Sequence, residues 1–270
     1  MVDFSFKRKG IKFREVMFAV PGVLEFNDED VLLLHGSENN KIENNIKIKN
    51  KMKNIRFDHQ YTLISNLLCE EDKLWSLLNK NYRNEINRAK KEGIVTKSFV
   101  GQQAINQSGL LDTFEGMYNK MFESKGMGNR LNRIYVEAAL KANQMTLTCA
   151  YYNDQILVIH AYVNDSKNAL LLYSTSLLWE EDNKELGKKI GWSNKLLHWD
   201  DMNAFKKNGL YTYEWGGIQS CNDPNGIDKF KMGFGGSVVQ YDNYIIARTL
   251  LGALYILLIK VKLDNGKNNS

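Results

Sequence analysis

Glu214 lies in the run "LYTYEW", just before Gly216 and Gly217. Burial at the end of a strand disfavours the charged form of an acid, which suits it to take a proton from an ammonium group. The paired glycines let backbone come close to a ligand; the same acid could instead pair with a lysine or cap the turn. His160 interrupts the apolar run "ILVIHAYV" on the face shared by Val158 and Tyr162. It is a second candidate for proton transfer, or else a satisfied core histidine. Tyr173 and Ser174, in "LLLYSTS", offer hydroxyls that either protonate a leaving group or serve packing and local hydrogen bonds. Lys229 and Lys231 flank Phe230 in "GIDKFKMGFGG". If that segment is extended, alternation sets both lysines on one side beside glycine N–H groups, an anion site for phosphate, or leaves them solvated. Asn194 and His198 lie one helical turn apart and share a face.

Residues of these types can move a proton from an ammonium nucleophile and to a leaving group. No G-x-S-x-G and no cysteine beside a histidine is present, so direct attack without a covalent enzyme intermediate is the simpler mechanism.

The chain has 270 residues, 43% hydrophobic and 25% charged, with a formal net charge of +5. That is ordinary globular composition with a mild basic bias, compatible with anionic substrates, RNA or acidic membrane surfaces. Cys69, Cys149 and Cys221 are far apart, and no CxxC or Cys/His cluster occurs. This argues against a disulfide framework or a bound metal and points to a reduced cytoplasmic compartment. "LLGALYILLI", residues 250–259, is bracketed by Arg248 and Lys260. A spanning helix needs about 20 residues, so a buried terminal helix or a peripheral membrane contact is expected, the latter with Lys260 and Lys262 near headgroups.

Strands are expected at "IKFREVMFAV", "DVLLLHG" and "IRFDHQYTLI", then a helix over "EEDKLWSLLNKNYRNEINRAKKEG" that stops at Gly93, and a strand at "IVTKSFV". Helices over about 108–125 and 131–143 follow, then strands "MTLTCAYYN", "QILVIHAYVND" and "NALLLYSTS", the first two joined by an Asn153-Asp154 turn. A helix over about 185–208 leads to "LYTYEW", a flexible glycine loop and a bulged strand into "SVVQYDNY". The order gives an α+β fold whose later helix is a crossover connection. The Asn/Lys segment 38–54 and the tail "DNGKNNS" read as mobile.

The helix "YRNEINRAKKEGI" places Arg83, Ile86, Ala89 and Gly93 as R-x-x-I-x-x-A-x-x-x-G, and "YEWGGI" is followed by the F-K-x-x-F-G-G of residues 230–236. With the strands between, residues 70–244 resemble the GNAT acyltransferase superfamily, in its FemABX-like branch and the related acetyltransferases of bacterial polysaccharide clusters. The resemblance implies a mixed, mainly antiparallel sheet flanked by helices. It implies a reduced N-terminal GNAT-like half at 1–105 that includes the helix 70–92, a GNAT-like catalytic domain at 106–244, and a terminal helix and tail at 245–270. It also implies a substrate cleft near Gly216, Gly217 and Lys231, with Arg83 among the substrate-binding residues. Acyl-CoA users in the superfamily carry a Q/R-x-x-G-x-G/A loop that holds pyrophosphate at a helix N-terminus. The nearest stretch here is "KKIGWS", with Lys188, Gly191, Ser193 and Asn194 in the donor-binding positions. The donor implied is therefore acyl-CoA, such as acetyl-CoA, or aminoacyl-tRNA, which the FemABX proteins use. The acceptor implied is the amine of an amino sugar, nucleotide-sugar or lipid-linked glycan of the cell envelope. A non-catalytic GNAT-like binding module is the third reading.

Overall fold

The computed structural model of the protein describes residues 1–19, 22–25, 27–36, 46–49, 55–177 and 184–267, with 46–48, 55–60 and 260–267 described as backbone only. Two compact units divide it, Met1–Tyr61 with Val239–Ser270, and Thr62–Val238.

In the first unit, β1 (Val2–Arg8) and β2 (Ile11–Met17) form an antiparallel hairpin. Lys9 and Gly10 turn the chain with positive φ, the geometry that matches the strands' twist. The sequence reading missed β1, because the charges of "FSFKRK" hide an alternation in which Val2 and Phe4 point inward. The short strands β3 (Gly22–Glu25) and β5 (Ile46–Lys49) pair in parallel as a separate ribbon. β4 (Val31–His35) runs parallel to β2. The chain leaves this unit along β6 (Ile55–Asn66) and returns along β12 (Ser237–Ala247), which pairs antiparallel with β4. Val16, Leu32, Leu34, Tyr244 and Ile246 make the core. The segment 38–54, expected to be mobile, lies outside the described residues apart from β5, as do residues 268–270 of the tail.

The second unit opens with α1 (Glu71–Leu77) and α2 (Lys80–Lys91), where one helix was expected. Leu78 is extended and Asn79 caps the new helix by accepting the Tyr82 N–H at 2.8 Å, so the apolar stripe continues while the backbone breaks. β7 (Val95–Val100), α3 (Gln102–Asn106), α4 (Leu110–Ser124) and α5 (Arg133–Lys141) follow. The expected helix over 108–125 starts at Leu110, after Gly109 in a left-handed conformation. β8 (Met145–Tyr152) and β9 (Gln155–Asn164) form the expected hairpin, with Asn153 and Asp154 at φ +47° and +61°. β10 (Asn168–Ser176) is antiparallel to β9, and α6 (Lys184–Lys207) carries the chain across to β11 (Thr212–Ile218), parallel to β10. The segment expected to be extended around Phe230 is instead a helix, α7 (Gly226–Met232). Asn225 and Asp228 form a capping box there, which overrides the flanking glycines. A last helix, α8 (Leu250–Lys267), belongs to the first unit.

Within the second unit the strand order is β6-β11-β10-β9-β8-β7. The first six residues of β8 and the run Leu157–Val163 of β9 are buried without interruption, as expected of strands covered on both faces. Helix α6 covers one face, where Tyr162 packs on Phe205; α4 covers the other, where Tyr173 packs on Phe114.

Candidate functional site

The parallel strands β10 and β11 pair at only three positions, Asn168–Leu170 with Thr212–Glu214. Past them β10 bulges between Leu171 and Tyr173 while it stays paired with β9. A bulge re-aims side chains at a local break in pairing. On β11 the break falls at Gly216, with φ +71° and its Cα so close to the Leu171 carbonyl that an added Cβ would stand 3.0 Å from that oxygen. Thr62 Oγ1 donates to the Gly216 carbonyl at 2.9 Å and fixes the strand there.

Glu214 occupies the last paired position and is 7% exposed. Its neighbours Tyr213 and Trp215 both pack against His198 of α6, so alternation turns Glu214 to the α4 face. Tyr173 lies on that same face, with its ring between Phe114 and Tyr118. His160 and Ser174, paired across β9 and β10, lie on the α6 face. The four proton-transfer candidates thus divide into two pairs on opposite faces of the sheet. A single sequence could not reveal this, because the β10 bulge shifts the phase of alternation.

Lys231 projects from α7 and donates to the Gly217 carbonyl at 2.7 Å. Burial lowers its pKa, while the nearby acids Asp228 and Glu214 oppose that shift. Asp228 anchors the helix by accepting the N–H groups of Gln219 and Ser220, both at 3.2 Å, at the end of β11. Lys229 is exposed, because two residues along a helix turn it about 200° from Lys231. The expectation that both lysines share a face is corrected by the helix. Beyond α7, Gly236 has φ +114°, and a Cβ there would stand 2.7 Å from the Ile64 carbonyl oxygen, so that glycine serves close backbone packing. Arg83 points its guanidinium at the carbonyls of Leu78 and Ser76, where it caps the end of α1.

The expectation that Gly191 to Asn194 opens a helix is also corrected. Helix α6 begins at Lys184, so the amides of Gly191 and its neighbours point back to carbonyls four residues earlier and cannot cradle a pyrophosphate. Lys188 pairs with Glu185 at 2.6 Å on the surface, and Ser193 donates to the Lys189 carbonyl at 2.7 Å. Asn194 instead faces the sheet, with Oδ1 2.9 Å from His160 Nε2.

That contact leads into a buried polar chain. Asp201 Oδ2 accepts from Thr148 at 2.9 Å, from Tyr162 at 2.6 Å and from His160 Nδ1 at 3.0 Å. The Tyr162 hydroxyl is 2.7 Å from that of Tyr213, which is 2.7 Å from His198 Nδ1. Donation from His198 to Tyr213, on to Tyr162 and then to Asp201 satisfies every hydroxyl in the chain. The two imidazoles stack with ring centroids 4.0 Å apart. Burial holds the Tyr162 and Tyr213 hydroxyls well above their usual range. Of these residues Asn194, His198 and His160 stand out in the sequence, but Asp201, Tyr213 and Thr148 do not. The signal for the rest lay in α6, where Asn194, His198 and Asp201 repeat at i, i+4 and i+7 on a face that should otherwise be apolar.

His198 gives this chain a measurable pH signature. Burial is the main cause that depresses its pKa, and the neighbouring His160, Lys231 and Lys195 add to the effect. A depressed histidine stays neutral when folded but takes up a proton when unfolded, so stability is lost as pH falls below about 6.5. Urea titrations at pH 7.5 and 5.5 should show a loss approaching 1.4 kcal/mol per unit below that point, and His198→Phe should flatten it. An equal loss in the variant would assign the effect to other groups.

Among the described residues no cluster of His, Cys, Asp and Glu stands where it could hold a metal ion. No protein-family model matches the chain, and no curated protein matches it significantly. Solved structures do match. FemX is similar over 77% of this chain and 65% of its own, with 14% identity and a TM-score of 0.56. The C-terminal DUF2156 domain of an Agrobacterium fabrum protein assigned as a lysylphosphatidylglycerol synthetase aligns over 77% and 66%, with 14% identity and a TM-score of 0.51. A conserved Bacteroides thetaiotaomicron protein of unknown function aligns over 72% and 63%, with 12% identity and a TM-score of 0.50. The chain therefore spans just under two thirds of the length of each. These likenesses establish the fold, an α+β GNAT-like arrangement of the FemABX type.

Proposed function

We propose that the protein is a FemX-type transferase that moves an aminoacyl group from charged tRNA to an amine of a cell-envelope acceptor by direct attack. The observation that carries this reading is the meeting of Glu214, Gly216–Gly217 and Lys231 at the point where β10 and β11 stop pairing. A buried acid, freed backbone and a half-buried cation are the three elements that amide formation needs there.

In the proposed reaction the acceptor enters as an ammonium and gives one proton to Glu214. Its nitrogen then attacks the carbonyl carbon of the donor ester. The carbonyl oxygen takes negative charge beside Lys231, whose ammonium stabilises it more in the transition state than in the ground state. The carbon–oxygen bond to the ribose breaks as the amide forms; the nitrogen sheds its second proton to a hydroxyl that gives its own proton to the departing ribose oxygen, so that hydroxyl is restored. We assign this relay to Tyr173, whose ring packs on the α4 face of the sheet to which Glu214 turns.

Two points favour aminoacyl-tRNA over acyl-CoA as donor. The one stretch that resembled a pyrophosphate loop lies inside α6, with its amides already used. The A. fabrum neighbour's name also describes a lysyl group joined to phosphatidylglycerol. A ligand that binds only the native state stabilises it by about 2.7 kcal/mol at about 100 times its Kd. Thermal melts should therefore rise with charged tRNA and stay unmoved by acetyl-CoA or free CoA. A shift with acetyl-CoA alone would make acyl-CoA the donor.

A further inference from the structure

Helix α8 leaves an apolar surface uncovered. Leu250, Leu251, Leu254, Leu257 and Leu258 are between 46% and 79% exposed. At 100° per residue they fall within one arc of about 120°. The opposite arc is the one that packs, through Ala253 and Ile256 against Ala247. Five leucines on one exposed stripe are more than scattered surface apolar residues, and such a patch marks a contact site. No helix among the described residues is long and apolar enough to cross a membrane, so this stripe is suited to lie along a surface.

Charge beside the stripe identifies that surface. Tyr255 lies on α8 between the leucine arc and the packed arc, with its ring 5.0 Å from Phe13 of β2. Phe13 pairs with Phe6 of β1, so the end of that hairpin at Lys7 and Arg8 lies a residue or two along the strands from the ring on which Tyr255 packs. Arg8 belongs to the β1–β2 turn, where Lys7, Arg8 and Lys9 are all exposed. An apolar helical face bordered by clustered cations matches the interface of an anionic bilayer, with leucines among the upper acyl chains and cations at lipid phosphates. Pairing with a second copy through the same stripe would bring two such cation clusters together, a repulsion that anionic lipid relieves.

We propose that the leucine stripe of α8, with the Lys7–Lys9 turn, is a peripheral docking surface for anionic membranes. The test is co-sedimentation of the full chain with phosphatidylcholine vesicles that contain or lack phosphatidylglycerol. Binding should require phosphatidylglycerol and fall as salt is raised. It should drop about tenfold or more when Leu254 and Leu258 are replaced by Glu, and also when Lys7, Arg8 and Lys9 are replaced by Ala. Circular dichroism would check that both variants fold. Binding unchanged in folded variants, or no binding by the parent chain, overturns the proposal. So does a parent dimer in light scattering that Leu254→Glu with Leu258→Glu converts to monomer, since a second copy would then cover the stripe. None of these readouts depends on the transferase reaction.

Discussion

Asp201→Ala is expected to destabilise the protein by about 3–5 kcal/mol, because several buried donors lose a shared acceptor at about 1–3 kcal/mol each. One carboxylate oxygen accepts from Thr148, Tyr162 and His160 on the α6 face of the sheet. Alanine removes the acceptor shared by all three; Thr148 loses its partner, while His160 and Tyr162 must fall back on the Tyr162 and Tyr213 hydroxyls, which breaks the donation order of the chain. Tyr162→Phe offers a graded comparison. It removes one donor to Asp201 and the hydroxyl partner of Tyr213 but keeps the ring packed on Phe205 and Tyr213, so a smaller loss of about 1–2 kcal/mol is expected. Urea denaturation with a shared slope gives both numbers. If Asp201→Ala cost no more than Tyr162→Phe, the carboxylate would not be the hub of the network.

Glu214→Gln is expected to lower transfer to a protonated amine by about 10²–10⁴-fold, the range of general-base contributions. Glutamine keeps the shape and burial of the side chain, so the melting temperature should change little while the proton acceptor is lost. A second acceptor isolates the role. An amine that is already neutral at the assay pH, such as hydroxylamine, needs no base, so the variant should retain most of its rate with hydroxylamine and lose it with glucosamine. Equal losses with both would make Glu214 a structural residue. His160→Gln serves as the contrast. His160 lies on the other face with both ring nitrogens engaged, and its loss should be read in stability rather than in acceptor preference.

Much of this fold could be read from sequence where local chemistry is decisive. Asn153-Asp154 specifies its turn, and the periodic run ending at Gly209 specifies α6. The acid-rich start and lysine-rich end of "EEDKLWSLLNKNYRNEINRAKK" announce helix, but its interruption rests on one side chain, Asn79, turning from surface residue to cap. Around Phe230 the density of glycine pointed to a loop and a strand. The deciding pair was Asn225 and Asp228, three residues apart, which close a capping box. The site was legible in part for the same reason. Glu214, Gly216 and Lys231 stand out by residue type and lie close in sequence, so their meeting needs only one turn and one short helix. The Asp201 hub draws on β8, β9, β11 and α6, and no local pattern announces a meeting of four elements. The face on which each candidate lies depends on a bulge at Leu171–Tyr173, which carries no glycine or proline to mark it.

The most direct test of the central claim is amide formation from radiolabelled aminoacyl-tRNA with glucosamine as the amine acceptor, followed by chromatography of the product. Labelled aminoacyl-glucosamine that forms with the parent protein and falls by about 10²-fold or more with Glu214→Gln is the expected result. Label that stays on tRNA with the parent protein, while acetyl-CoA yields N-acetylglucosamine, would contradict it and assign the chain to acyl-CoA chemistry.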